Sequence, residues 1–131
     1  MIKKFRNLFS RNANKNNIRN NPELKSLKKD LLYRMKDFID SDTEYTKKDV
    51  KKCGMLLDEH LENISQANDR ESAMKCVEET VLKLNKLNQN AGEELIETDQ
   101  REDICEFLTK AGVILGFNEE SEDVTENWRE W

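Results

Sequence analysis

An all-α bundle of about four main helices is the fold the sequence predicts, and three observations predict it. Apolar residues recur at three- and four-residue spacing through four successive stretches. One Pro and four Gly in 131 residues are too few for a turn-rich β architecture. A hydrophobic share of 36% beside a charged share of 37% suits helices that each bury one narrow stripe. The length is that of a single-domain protein with one core. Its expected layout is a basic, Asn-rich arm at 1–21 followed by an acidic helical domain at 22–131.

In the arm, Ile2, Phe5, Leu8 and Phe9 share one helix face, ringed by Lys3, Lys4, Arg6 and Arg11. Residues 12–21 are mostly Asn, a poor helix former, and supply no run of apolar anchors. The arm is therefore expected to be flexible, or to form a short amphipathic segment. Such a segment suits weak contact of residues 2–11 with a membrane surface, a partner, or the acidic end of the same chain.

The domain opens at Asn21-Pro22, a cap followed by Pro at the first helical position. Leu24, Leu27, Leu31, Met35 and Phe38 then form a stripe to about Asp40, and 41–45 reads as a polar loop. Thr46 and Asp49 begin a second helix with the stripe Val50, Cys53, Leu57, Leu61 and Ile64, ending near Ala67. Asn68 or Asp69 caps the third, whose stripe is Ala73, Val77, Val81, Leu84 and Leu87, and which stops at Asn90-Ala91-Gly92. Leu95 and Ile96 fit an extended connector. The clearest helix comes next: Asp99 with Glu102 as a capping-box-like start, Ile104, Phe107, Leu108, Ala111, Ile114 and Leu115 as its face, and Gly116-Phe117 as its stop. An acidic loop at 118–123 leads to Thr125, expected to cap a short C-terminal turn holding Trp128 and Trp131.

Charge is unevenly distributed. Residues 1–21 carry +6, residues 22–92 carry −1 and residues 93–131 carry −10. An end that acidic repels phosphate, so nucleic-acid binding by the main domain is not expected. No run approaches the roughly 18 apolar residues of a membrane span. Basic residues 1–6 are not followed by the apolar stretch of a secretory leader, and the expected compartment is the cytoplasm. Cys53, Cys76 and Cys105 are odd in number and widely spaced, which fits reduced, mostly buried thiols there.

Few residues suit catalysis or metal binding. His60, the one histidine, lies seven positions after Cys53 on the same helical face. A small metal site or enzyme centred on Cys53 and His60 is one alternative, but structural zinc takes close pairs of ligands and none occurs. A core or boundary role is the plainer reading of His60, and no metal or other cofactor is expected. The chain has no Gly-rich phosphate loop, no His-Glu-x-x-His and no calcium-binding loop. A non-enzymatic protein is the expectation. Trp128 and Trp131 flank Arg129 and suit two roles, closing one end of the bundle or anchoring an interface.

The run Glu94-Leu95-Ile96-Glu97-Thr98-Asp99-Gln100-Arg101-Glu102-Asp103-Ile104-Cys105, the Gly116-Phe117 stop and the closing Trp128-Arg129-Glu130-Trp131 resemble the carboxyl half of small uncharacterised bacterial helical proteins ending in Arg-Glu-Trp. The resemblance covers about residues 70–131. Such small acidic proteins look like the immunity proteins that accompany bacterial toxins. No functional residues come with that resemblance, which implies a bacterial protein that binds and inhibits a toxin. Independently, an acidic helical face attracts a basic protein partner and speeds encounter.

The expected activity is thus protein binding, as an immunity-type inhibitor. The expected surface is Glu97, Asp99, Glu102, Asp103, Glu106, Glu119, Glu120, Glu122 and Asp123, with Glu93 and Glu94 beside it and Trp128, Arg129 and Trp131 as anchors. A membrane-apposed or scaffold protein using the arm is the second alternative.

Overall fold

The computed structural model describes residues 18–131, so the amphipathic reading of residues 2–11 lies outside the described residues. Those described form four α-helices and a lone 3-10 turn at Ile18–Asn20, with no strand among them. The helices are α1 (Pro22–Asp37), α2 (Lys47–Ile64), α3 (Arg70–Asn90) and α4 (Thr98–Ile114). None of them is long and apolar enough to cross a membrane.

Local chemistry sets the boundaries. The Asn21 side chain accepts from the Leu24 amide at 3.1 Å and starts α1, with Pro22 in the first turn. Asp49 reaches back to the Thr46 amide at 2.9 Å to start α2. Asp69, not Asn68, caps α3 by accepting from the Ser72 amide at 2.8 Å. The start of α4 differs from the expected Asp99–Glu102 pair. Glu97 is the cap, and Gln100 reaches back to its amide at 3.1 Å. The start moves because Leu95 and Ile96 are buried as the chain enters, which fixes where the first turn begins. At the other end, Gly116 takes φ 79° and the Phe117 amide donates to Gly112 O at 2.8 Å, a Schellman stop that buries Phe117.

The stripes meet in one core. Those of α2 and α3 are buried throughout, and α4 buries Ile104, Phe107, Leu108, Ala111 and Leu115, with Ile114 partly covered. Three expectations need correction. Phe38 is the C-cap of α1, which stops at Asp37 rather than near Asp40, and it is 60% exposed because its ring lines an open depression instead of packing in the core. Tyr45, in the segment read as a polar loop, is buried with its hydroxyl donating to Met35 O at 2.6 Å. Ile18, within the stretch read as lacking anchors, is also buried in the core. In addition, α2 ends at Ile64 rather than near Ala67, although Ala67 is itself buried.

Helix α2 packs on α3, α1 packs on α4, and α1 joins the two pairs through α2. Helices α3 and α4 do not form a main packing pair. Residues 117–131 bridge that seam. Arg70 of α3 donates to Phe117 O at 3.0 Å and pairs with Glu122, while Cys105 of α4 meets Thr125 Oγ1 at 3.2 Å.

Candidate functional site

Residues of α4 spaced three and four apart share a face, which puts Asp99, Glu102 and Glu106 on the side away from the core, with Asp103 at its edge and largely covered beside α1. Asp99 sits in the first turn, where the positive end of the helix dipole favours it. Glu97, Asp99, Glu102 and Glu106 are exposed and make no ion pair among the described residues. Glu119, in the loop beyond, makes none either.

Four of the expected carboxylates are instead engaged within the fold. Asp103 pairs with Arg34 of α1 at 2.8 Å, and burial outweighs that cation to push its carboxyl up. Glu120 pairs with Lys110 at 2.7 Å, which holds it below the usual carboxylate range. Glu122 meets Arg70 through both oxygens, at 3.1 and 2.5 Å, and also accepts from the Glu119 amide. Arg70 first, then that amide, lowers its pKa to about 2. Asp123 is partly buried, yet bonds from Thr125 and the Arg129 guanidinium leave its carboxyl low. Glu120, Glu122 and Asp123 shape the α4–loop depression of about 540 Å³, lined by Glu102, Cys105, Glu106, Thr109, Lys110 and residues 120–123. Its negative charge is therefore largely offset from within.

The terminal segment is docked. Asn85 of α3 donates to Trp128 O at 2.8 Å and accepts from the Glu130 amide at 3.1 Å. Both Trp side chains are half-buried and pack against the core. Arg129 is tied inward to Asp123 at 3.1 Å and to Trp131 O at 3.3 Å. Thr125 does not act as the cap of this turn. Its hydroxyl donates to Asp123 Oδ1 at 2.6 Å, and Asp123 takes the Thr125 amide as well.

His60 is buried on the α2–α3 contact, with Nδ1 2.8 Å from Thr80 Oγ1, and Thr80 in turn donates to Cys76 O at 3.0 Å. Burial lowers its pKa to about 4 and pushes the Cys53 thiol up to about 12. Burial also raises Cys76 and Cys105, both half-buried rather than sealed in the core. Among the described residues no group of three or more His, Cys, Asp or Glu is placed to hold a metal ion.

A second depression of about 430 Å³ lies between the α1–α2 link and the head of α4. Phe38, Tyr45 and Gln100 line it along with Asp40, Asp42, Glu94, Glu97 and Asp99. Sequence reasoning placed Glu97 and Asp99 but missed Phe38, Asp40 and Asp42 as their neighbours. The Asp40-Ser41-Asp42 pattern was the one available signal, and it reads as ordinary turn chemistry.

No protein-family model, curated protein or solved structure matches this chain.

Proposed function

We propose that the protein is a non-enzymatic binding module that holds a basic protein through the outer face of α4 and its flanks, as an immunity-type inhibitor of a cationic bacterial toxin. The observation that carries this reading is the set Glu97, Asp99, Glu102 and Glu106. Asp99, Glu102 and Glu106 stand exposed on α4, and Glu97 at its cap, without ion pairs among the described residues. Unneutralised like charges held in fixed geometry raise the encounter rate of an oppositely charged partner. Asp103, Glu120, Glu122 and Asp123 belong to the scaffold in this reading, and Trp128 and Trp131 contribute rim contacts while their inner edges close the bundle.

The raised thiol pKa values and the sealed imidazole support a role without nucleophilic chemistry, since the thiolate is the reactive form and a base must reach its substrate.

The test uses a panel of purified cationic bacterial toxins. For one of them, association should slow about tenfold between roughly 50 and 200 mM salt. Glu102→Lys with Glu106→Lys should slow it further while far-ultraviolet circular dichroism is unchanged. A panel in which none associates, or association indifferent to both salt and charge reversal, overturns the reading.

A further inference from the structure

We infer that the groove between the α1–α2 link and the head of α4 receives an arginine-bearing basic segment of a partner protein, a guanidinium lying on the Phe38 ring and its N–H groups meeting the surrounding carboxylates. This deepens the protein-binding role proposed above and rests on it, but centres the contact at the head of α4, where Glu97 and Asp99 stand, rather than along Glu102 and Glu106.

The groove has an aromatic wall that nothing covers among the described residues. Phe38 occupies a position of the apolar α1 stripe and yet is 60% exposed, while Leu24, Leu31 and Met35 of the same stripe are buried. Exposed large apolar side chains mean most where they line a concave surface beside specific polar groups. Here the charged groups all carry the same sign. Asp40, Asp42, Glu94, Glu97 and Asp99 line the groove, no cation does, and none of the five makes an ion pair among the described residues. Buried Tyr45 registers the resulting field: its phenol is pushed up, first by burial and then by Glu94, Glu97 and Asp40.

The walls are held in place before any ligand arrives. Tyr45 is tied to Met35 O at 2.6 Å. Asp40 Oδ1 accepts from the Asp42 amide and the Thr43 hydroxyl, at 2.8 and 2.9 Å. Glu94 Oε2 accepts from the Glu44 amide at 2.6 Å, which joins the link to the chain entering α4. Each of these carboxylates keeps its second oxygen for another donor.

Size and chemistry together select the occupant. A space of about 430 Å³ takes one or two side chains of an extended segment, not a helix. An ammonium would satisfy the charge but leave the ring unused. A guanidinium stacks on an aromatic face and presents a planar fork to carboxylates, using both features. A metal ion is disfavoured because the groove's carboxylates are not among any ligand group placed for one. Residues 1–17 are basic as well, and a competing role for them is an outcome of the test.

The experiment is a heteronuclear NMR titration of the full chain with a short arginine-rich peptide and with its all-lysine counterpart. The arginine peptide should move the amides of residues 38–45 and 94–100, and the lysine peptide should bind severalfold more weakly. Phe38→Ala should weaken binding about three- to tenfold. Asp42→Asn with Asp99→Asn should weaken it about tenfold at low salt. All three positions are exposed, so the fold survives and the spectra verify it. Shifts confined to Glu102 and Glu106, no shift, or an unchanged Phe38→Ala affinity would overturn the assignment. So would tighter peptide binding by Arg6→Glu/Arg11→Glu, which would make the chain's own arm the occupant. A toxin sensitive to Glu102→Lys/Glu106→Lys but not to Phe38→Ala would likewise remove the groove while leaving the proposed function standing. Peptide in the groove with no toxin bound would support the groove and remove only that function.

Discussion

Burial takes the His60 imidazole out of water, and its Nε2 finds no partner among the described residues while Nδ1 meets Thr80. The neutral ring is therefore the form the fold accepts. Its pKa falls from 6.5 to about 4, so between those values the unfolded chain binds more protons than the native one. The His60 contribution is fully present above pH 6.5 and is lost as pH falls toward 4. By linkage that contribution is about 3 kcal/mol. Urea unfolding at pH 7 and pH 4 should show the wild type losing about that much more stability than His60→Leu, which has no proton to take up there. Equal losses would mean that the histidine does not sense pH. Steric detail gives a second residue-scale contrast. A Cβ on Gly112 would stand 1.7 Å from Asn118 Oδ1, and moving that carboxamide gives up its 3.1 Å bond to Thr109 O. Gly112→Ala should cost roughly 2 to 4 kcal/mol. At Gly54 the nearest atom is Leu32 Cδ1 at 2.9 Å, the end of a side chain that can rotate. Gly54→Ala also gains helix propensity and should fall within about 1 kcal/mol of neutral. Thermal unfolding of the pair checks both.

Among the elements, the end of the segment after α4 is clamped to α3 by Asn85, with Gln89 donating to Glu130 Oε2 at 3.0 Å beside it. Asn85 is buried and uses both ends of its amide, one on Trp128 O and one on the Glu130 amide. Asn85→Ala should cost about 2 to 3 kcal/mol, because two backbone groups lose their partner at a partly buried site. It should also red-shift tryptophan emission as residues 126–131 release, while α1–α3 retain their amide protection. Unchanged emission would show that the Trp packing and the remaining contacts of Gln89, Arg70 and Arg129 hold the segment without Asn85. No pattern in the sequence announces this clamp, since Asn85 sits between Leu84 and Leu87 and its partners lie more than 40 positions away. What periodicity does reveal is the local part of the fold. The stripe and cap residues of α2 and α3 act through neighbours within one or two turns, so spacing alone locates them. Phe38 and Tyr45 exchange their expected places for a non-local reason. Whether each is covered depends on where α1 ends against the chain entering α4. The candidate surface divides the same way. Sequence spacing puts Glu102 and Glu106 on one exposed face, but nothing local tells that Arg34 and Arg70 will neutralise Asp103 and Glu122.

At the scale of the whole molecule, the acidic end is an electrostatic load on its own fold. Asp99, Glu102, Asp103 and Glu106 form four like-charge neighbours at spacings of three and four, and Asp99 and Asp30 both help to raise the Asp103 carboxyl after burial has done so. Arg34 offsets one member of the row, and the others are exposed and make no ion pair among the described residues. Each exposed like-charge pair costs a few tenths of a kcal/mol, so the row costs on the order of 1 kcal/mol at low ionic strength. A surface kept for attracting a basic partner would carry such a cost, because relieving it removes the field that speeds encounter. Glu102→Gln with Glu106→Gln should therefore raise the unfolding temperature by a few degrees at low salt. Salt should have less effect on the variant than on the wild type, in which screening does the same work. The same variant should associate more slowly with a basic toxin and lose much of the salt dependence of that rate. Stability and association would then move in opposite directions from one pair of substitutions. If both fell together, the carboxylates would be serving the fold rather than a partner, and the acidic face would no longer support a binding role.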